Sequence, residues 1–432
     1  MRNKAELINL AKNCAIVFLL ISGLFLLYKA SFNDQDSFSK GLTDFFGEKQ
    51  ETGTVASSNT DDTALVSGPA YLLVTLKDGS HYAVKYDSES KQKLVAQFLA
   101  YLGEALGSAR APEALTEKQW QSALSGTGIF YDYLYPEPLS AIASSLGTEA
   151  SGEASSKSAR RFFLGDGDGK LLLYFISESD GKIYRCNTEL TFSSVEPKIA
   201  DCPVGTAKFA FEYGEEYAKL DPYFIFSHES GALHAVTASN PMLDNFDSAS
   251  LLGIFGMNSK TASKYPEDDG STIYVDGEKS LRAESSGRVA FSATGTDGIP
   301  LGGTDGVTLI DIVSACSNIV KNSIALTAGD GAVGLSYVSS LTSPSSCTIS
   351  FSYFVSGIPV TLPESDKAAV FNISDGKIVK AQLYFRGYAI SGGTINAIPE
   401  KQVSVIAQSH GGEPVLTYED KGDSLACTWI YN

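Results

Sequence analysis

The chain has 432 residues, 50 of them acidic and 33 basic, so its net charge is −17. That balance excludes nucleic acid and anionic lipid headgroups as ligands, because a phosphate surface must be met by clustered Lys and Arg. With 43% hydrophobic residues, 23 Phe and 21 Tyr, the chain can fill two or three β-rich cores.

Cys14 to Tyr28 (CAIVFLLISGLFLLY) is the only long uncharged apolar run. It covers roughly 22 Å as a helix, short of a hydrocarbon core about 30 Å thick, and Leu7 to Ala11 with Ala30 and Phe32 extend it. Arg2, Lys4 and Lys12 precede it, which holds residues 1–13 in the cytoplasm and makes 14–30 a single-pass anchor with the rest of the chain outside. A cleaved secretory signal is the competing reading, but Tyr28-Lys29-Ala30 is a poor cleavage site, and both readings place the ectodomain outside. Ser22-Gly23 in the anchor would let a partner helix approach closely, although small residues are also merely tolerated there.

Residues 31–67 read as a Ser/Thr/Asp/Gly-rich stalk. A first α+β lobe is expected over 68–147. It begins with a hairpin around Lys77-Asp78-Gly79-Ser80, continues with a helix over Ser88 to Leu106 and a capping box at Thr116-x-x-Gln119, and ends on a strand from Gly128 to Tyr135. A middle lobe over 148–265 holds an antiparallel meander (Arg161 to Leu164, Lys170 to Ser177, Gly181 to Asn187), a helix within Thr206 to Leu220, and an amphipathic helix from Asn240 to Met257. A third region, 266–432, repeats one alphabet twice. Strands from Ser271, a helix over Gly306 to Asn322 and strands Val333 to Ser339 and Cys347 to Val355 are followed by strands Ala368 to Ile373 and Lys377 to Tyr388, a helix over Pro399 to Gln408, and strands Pro414 to Glu419 and Ser424 to Tyr431. The fold class is therefore α+β: an N-terminal transmembrane helix, an antiparallel β-rich ectodomain of two or three lobes with helices on the sheets, and C-terminal tandem α+β units.

The chemistry-bearing residues are few. His81, His228, His234 and His410 all sit at turns and read as turn or surface residues, with no G-x-S-x-G elbow beside them. Asp166-Gly-Asp168-Gly lacks the later ligands of a calcium loop and reads as a hairpin turn. The glycines of Gly295 to Gly306 match no phosphate-binding pattern. Among the five cysteines beyond the anchor, Cys186–Cys202 and Cys316–Cys347 are spaced for two bridges, with buried thiols as the alternative; no C-x-x-C is present. No catalytic, metal or cofactor residues are assigned.

The run CTISFSYFVSGIPVTLPESDKAAVFNISDGKIVKAQLYFRGY and the later LTYEDKGDSLACTWIY resemble the closing part of the YycH and YycI extracytoplasmic regulators. The strand pattern Y-x-x-x-G-x-P-V is met by Tyr353, Gly357, Pro359 and Val360, the hairpin turn by Gly376 and Ile378, and the terminal tryptophan by Trp429. Cys427-Thr428 stand where family members often carry a proline before that tryptophan, while Tyr131 to Leu139 and the anchor architecture are also similar. The resemblance covers the last third well and the middle loosely.

It implies a non-enzymatic protein that controls a sensor histidine kinase of cell-wall homeostasis through contacts in and outside the membrane, with that kinase or a paralogous regulator as partner. An envelope protein capturing a peptide or wall fragment, with the anchor as a passive tether, is the alternative. A hydrolase using carboxylates distant in sequence is a third reading.

Overall fold

The computed structural model describes residues 68–431, apart from 87, 228–232, 244–246, 295–296, 302–306, 342 and 344. The expected cytoplasmic N-terminus, the anchor at 14–30 with Ser22 and Gly23, the stalk and His228 lie outside the described residues.

The first sheet is built from β1 (Tyr71–Thr75), β2 (His81–Lys85), β3 (Arg110–Leu115), β4 (Gly128–Pro138), β5 (Ser158–Gly167), β6 (Lys170–Ser177) and β7 (Ile183–Asn187), in the order β2-β1-β4-β5-β6-β7-β3. Its strands alternate between two buried faces. Leu72, Val74, Ile129, Tyr131, Phe162, Leu164 and Phe175 meet helices α1 (Glu89–Ser108) and α3 (Leu139–Ser145) on one side. Leu73, Phe130, Phe163 and Tyr174 meet Trp120 and Leu124 of α2 (Glu117–Leu124) on the other. Ser88 caps α1 by accepting from Lys91 N, and Thr116 and Gln119 form the capping box that opens α2, both as the sequence indicates.

The expected division at 147/148 is corrected: β4 pairs directly with β5, so one continuous sheet spans it. The connecting region holds α4 (Glu196–Ala200), a two-stranded pair β8 (Lys208–Phe209) and β9 (Ile225–Phe226), and β10 (Leu233–Ser239). In place of the expected helix over 206–220 stand β8 and a 3-10 segment, Ala210–Tyr217, because Gly214 at φ 61° and ψ −131° breaks the helical path. The expected helix over 240–257 is likewise reduced to a 3-10 turn, Pro241–Leu243, and α5 (Ser248–Ile254), which Asp247 caps through Ala249 N and Ser250 N.

The second sheet comprises β11 (Ser263–Pro266), β12 (Thr272–Asp276), β13 (Lys279–Ala283), β14 (Arg288–Ala293), β15 (Ile299–Pro300), β16 (Gly331–Val338), β17 (Thr348–Val355), β18 (Ile358–Thr361), β19 (Ala369–Ser374) and β20 (Lys377–Tyr384). After β21 (Gly387–Ile395), which pairs with β10, the sheet ends in β22 (Pro414–Asp420) and β23 (Leu425–Tyr431). Its main order is β11-β12-β13-β14-β20-β19-β17-β18-β22-β23, with β15 on β20 and β16 on β17. Both expected strand sets are present, yet they are not two units: β14 of the first pairs with β20 of the second. The boundary at 265/266 falls within β11.

Register sorts the side chains of this sheet into rows. Tyr274, Leu281, Phe291, Ala381, Phe371 and Ile349 face inward against α5 and α6 (Leu309–Lys321). Thr308 and Asp311 cap α6 reciprocally. Leu309–Thr327 is apolar and long enough to cross a membrane, but Ile312, Val313, Cys316 and Val320 are buried in this core. The final helix, α7 (Glu400–His410), packs on β22 and β23.

Candidate functional site

The densest gathering of ionisable side chains lies between the two sheets. Arg160 and Arg161 are neighbours on β5, and a regular strand would point them to opposite faces. The ladder is irregular between Ala159 and Phe162 and between Asp132 and Glu137, so both guanidinium groups reach the same carboxylates. Asp132 Oδ1 and Oδ2 accept from Arg160 Nε at 2.5 Å and Nη2 at 2.9 Å, and Oδ2 also accepts from Arg161 Nε at 3.0 Å. Glu413, next to β22, takes Arg160 Nη1 at 2.7 Å and Nη2 at 2.9 Å, and Arg161 Nη2 at 3.1 Å. Arg161 Nη1 donates to Asp221 at 3.0 Å, and its guanidinium lies 5.3 Å from the centre of the Tyr223 ring.

Burial alone would push the Asp132 carboxyl up, but Arg160 and Arg161 more than offset this and hold it below the usual carboxylate range. Around the cluster, Val415 and Ile430 of the second sheet join the apolar core behind β1 and β4, and Tyr135 packs edge-on against Phe354 at 6.1 Å. The junction is both apolar and ionic, and it joins β4 and β5 to β22.

Two further polar ties sit nearby. Lys85 Nζ reaches Glu400 Oε1 at 2.7 Å and Ile225 O at 2.6 Å, linking β2, β9 and α7. Arg386 pairs with Asp420 through two bonds of 2.7 Å, and Tyr388 donates to the same carboxylate at 3.1 Å. The expectation that His81 is a surface residue is corrected. It is 3% exposed, its Nδ1 lies 2.9 Å from Thr75 Oγ1, and its Nε2 lies 3.2 Å from Glu212 Oε1. This hydroxyl, imidazole and carboxylate row has the composition of a nucleophile relay, but Thr75 is fully buried and its hydroxyl donates to Leu124 O. His234 is exposed on β10.

The outer face of the second sheet is open. Ile273, Arg282, Ala290, Gln382 and Val370 form one cross-strand row, and Ser280, Ser292, Lys380 and Asn372 the next, lining a shallow hollow of about 530 Å³. Arg282 is held at its rim by Glu267 and Asp269.

The family-pattern residues prove architectural. Tyr353 is fully buried on β17, donating to Tyr384 O at 2.9 Å and accepting from Arg386 N at 3.3 Å. Gly357, at φ 73°, turns β17 into β18, where Pro359 pairs with Phe354 and Val360 runs parallel to Tyr418. Gly376, at φ 69°, makes the β19–β20 turn, Ile378 is buried beside it, and Trp429 Nε1 donates to Ile398 O. The expected Cys186–Cys202 and Cys316–Cys347 bridges are not formed: all four residues are buried and pack as small apolar side chains in the cores. Asp166 Oδ1 accepts from Gly169 N in a tight turn, and among the described residues no cluster of His, Cys, Asp and Glu is arranged to hold a metal.

No protein-family model and no curated protein sequence matches the chain. Its structure is nevertheless similar to the crystal structure of YycH from Bacillus subtilis, with a TM-score of 0.54 at 10% sequence identity, covering 87% of this chain and 96% of that one. The likeness suggested by the last third of the sequence thus extends over both sheets, and the fold is YycH-like.

Proposed function

We propose that the protein is a membrane-anchored extracytoplasmic regulator without chemistry of its own, which modulates a sensor histidine kinase of cell-envelope homeostasis through transmembrane and ectodomain contacts. The observation that carries this reading is the YycH-like fold across 87% of the chain, together with the regulatory role that the C-terminal pattern implies. Consistent with it, the ionisable groups gathered at the junction engage one another: Asp132 and Glu413 are consumed in holding Arg160 and Arg161. Such a regulator needs only a differential contact with two kinase states, worth about 1 to 3 kcal/mol. Ser22 and Gly23 are the proposed points of close helix approach. Replacing residues 14–28 with an unrelated membrane span tests this: kinase output and co-purification should both fall, and unchanged values would refute the anchor-contact mechanism.

The hollow on the second sheet supports a second reading, in which the ectodomain captures a peptide or wall fragment and the anchor is a passive tether. In that case the anchor exchange is silent, whereas Lys380→Ala and Gln382→Ala abolish a ligand-induced thermal shift.

A further inference from the structure

Sheet edges expose unpaired N–H and C=O groups, and natural proteins guard them with proline, charge, irregular register or cover. The described edges follow this rule with one exception. β3 carries Pro112 between Arg110 and Glu113 and pairs irregularly with β7. β11 carries Lys264 and Pro266. β2 lies against Ala207, which bridges to His81, and against Ile225, whose carbonyl accepts from Lys85.

β23 differs from all three. Its seven residues, LACTWIY, contain no charge, proline or glycine, and within its sheet it pairs with β22 alone. β10 touches it only at its start, through the Thr237–Ser424 bridge and a bond from Ala238 N to Asp423 O. Beside the strand, Ile398 accepts from the Trp429 indole and is 52% exposed, and α7, which packs on β23, leaves Val405 64% exposed.

We propose that β23 pairs antiparallel with β23 of a second copy of this chain, so that the sheet continues through a two-fold axis. A two-fold contact sets a strand against itself. Like charges facing each other across such a ladder would oppose it, and a chain of net charge −17 repels its own copy over most of its surface. β23 is the edge at which self-pairing meets no such penalty, and its outward backbone groups supply the ladder bonds.

The full chain in detergent micelles tests this by light scattering and by hydrogen exchange over a concentration series. The expected protein mass is twice 45.9 kDa at high concentration, falling on dilution, with amides in 426–431 better protected in the dimer. Thr428→Lys and, separately, Ala426→Lys place like charges across the axis and should weaken the dimer at least about tenfold while the thermal midpoint holds. Should either variant fail to fold, the other and the concentration dependence of wild-type exchange decide. A monomer at every concentration overturns the proposal, and so does a dimer that persists in a folded lysine variant or leaves exchange in 426–431 unchanged.

Discussion

Glu413→Gln is the most informative single change at the junction. The side chains involved are 2 to 13% exposed: Asp132 2%, Glu413 7%, Arg161 8% and Arg160 13%. Arg160 makes two bonds to Asp132 and two to Glu413, and Arg161 makes one each to Asp132, Glu413 and Asp221. The amide keeps the shape but removes the charge that three of these bonds serve, leaving two buried guanidinium groups with Asp132 and the more exposed Asp221. Removing one partner from a buried ionic cluster costs about 3 to 5 kcal/mol. Glu113→Gln is the control: its pair with Arg185 is 60% and 39% exposed and should contribute no more than about 1 kcal/mol. Urea unfolding followed by tryptophan fluorescence reads both, because Trp120 reports the first sheet and Trp429 the second. We expect Glu413→Gln to lower the stability by several kcal/mol and to separate the two tryptophan transitions as the sheets uncouple. A loss below about 1 kcal/mol, with both transitions still coincident, would refute the reasoning.

Three other outcomes follow from the same geometry. Tyr353→Phe leaves Tyr384 O without its buried donor and should destabilise by about 1 to 3 kcal/mol in the same unfolding assay, while an unchanged midpoint would remove the tyrosine's anchoring role. Gly376→Ala forces a left-handed residue and sets its Cβ 2.9 Å from Val307 Cγ2, so it should cost more than Gly79→Ala, where φ is 81° and the space is open, at about 1 kcal/mol. The Asp132 carboxyl is held below its unfolded value of about 3.9, so its contribution is present above that pH and is lost as pH falls through the lower folded value. Asp132→Asn should therefore lose stability less steeply than wild type on acidification below about pH 5, and parallel curves would show that Asp132 contributes nothing to the acid transition.

Local signals made much of the fold legible. Asp78-Gly79 gave the first hairpin, Thr116 with Gln119 gave the start of α2, and the apolar face of Gly306 to Asn322 gave α6. What escaped depends on long-range or irregular geometry. The aromatic spacing of Phe209, Tyr213 and Tyr217 imitates a helix, and only the backbone of Gly214 shows otherwise. His81 follows a hairpin turn, so its burial depends on Glu212 being brought over it from 131 residues away. The junction was the hardest to foresee: adjacent arginines on a strand should diverge, and Glu413 lies 253 residues from Arg160. Arg160-Arg161 inside an apolar run is the one signal that pointed there, since two charges in a buried strand require buried partners. The tandem reading failed because strand content does not determine strand order, and β14 and β20 are neighbours only in the folded sheet.

The regulatory account is tested most directly by crosslinking the full-length protein in its native membranes, identifying the captured partner, and measuring kinase phosphorylation with and without the protein. The account predicts capture of a sensor histidine kinase, alone or with a paralogous regulator, and a phosphorylation level that changes when the protein is removed. Capture of no kinase, with phosphorylation unchanged, would contradict it.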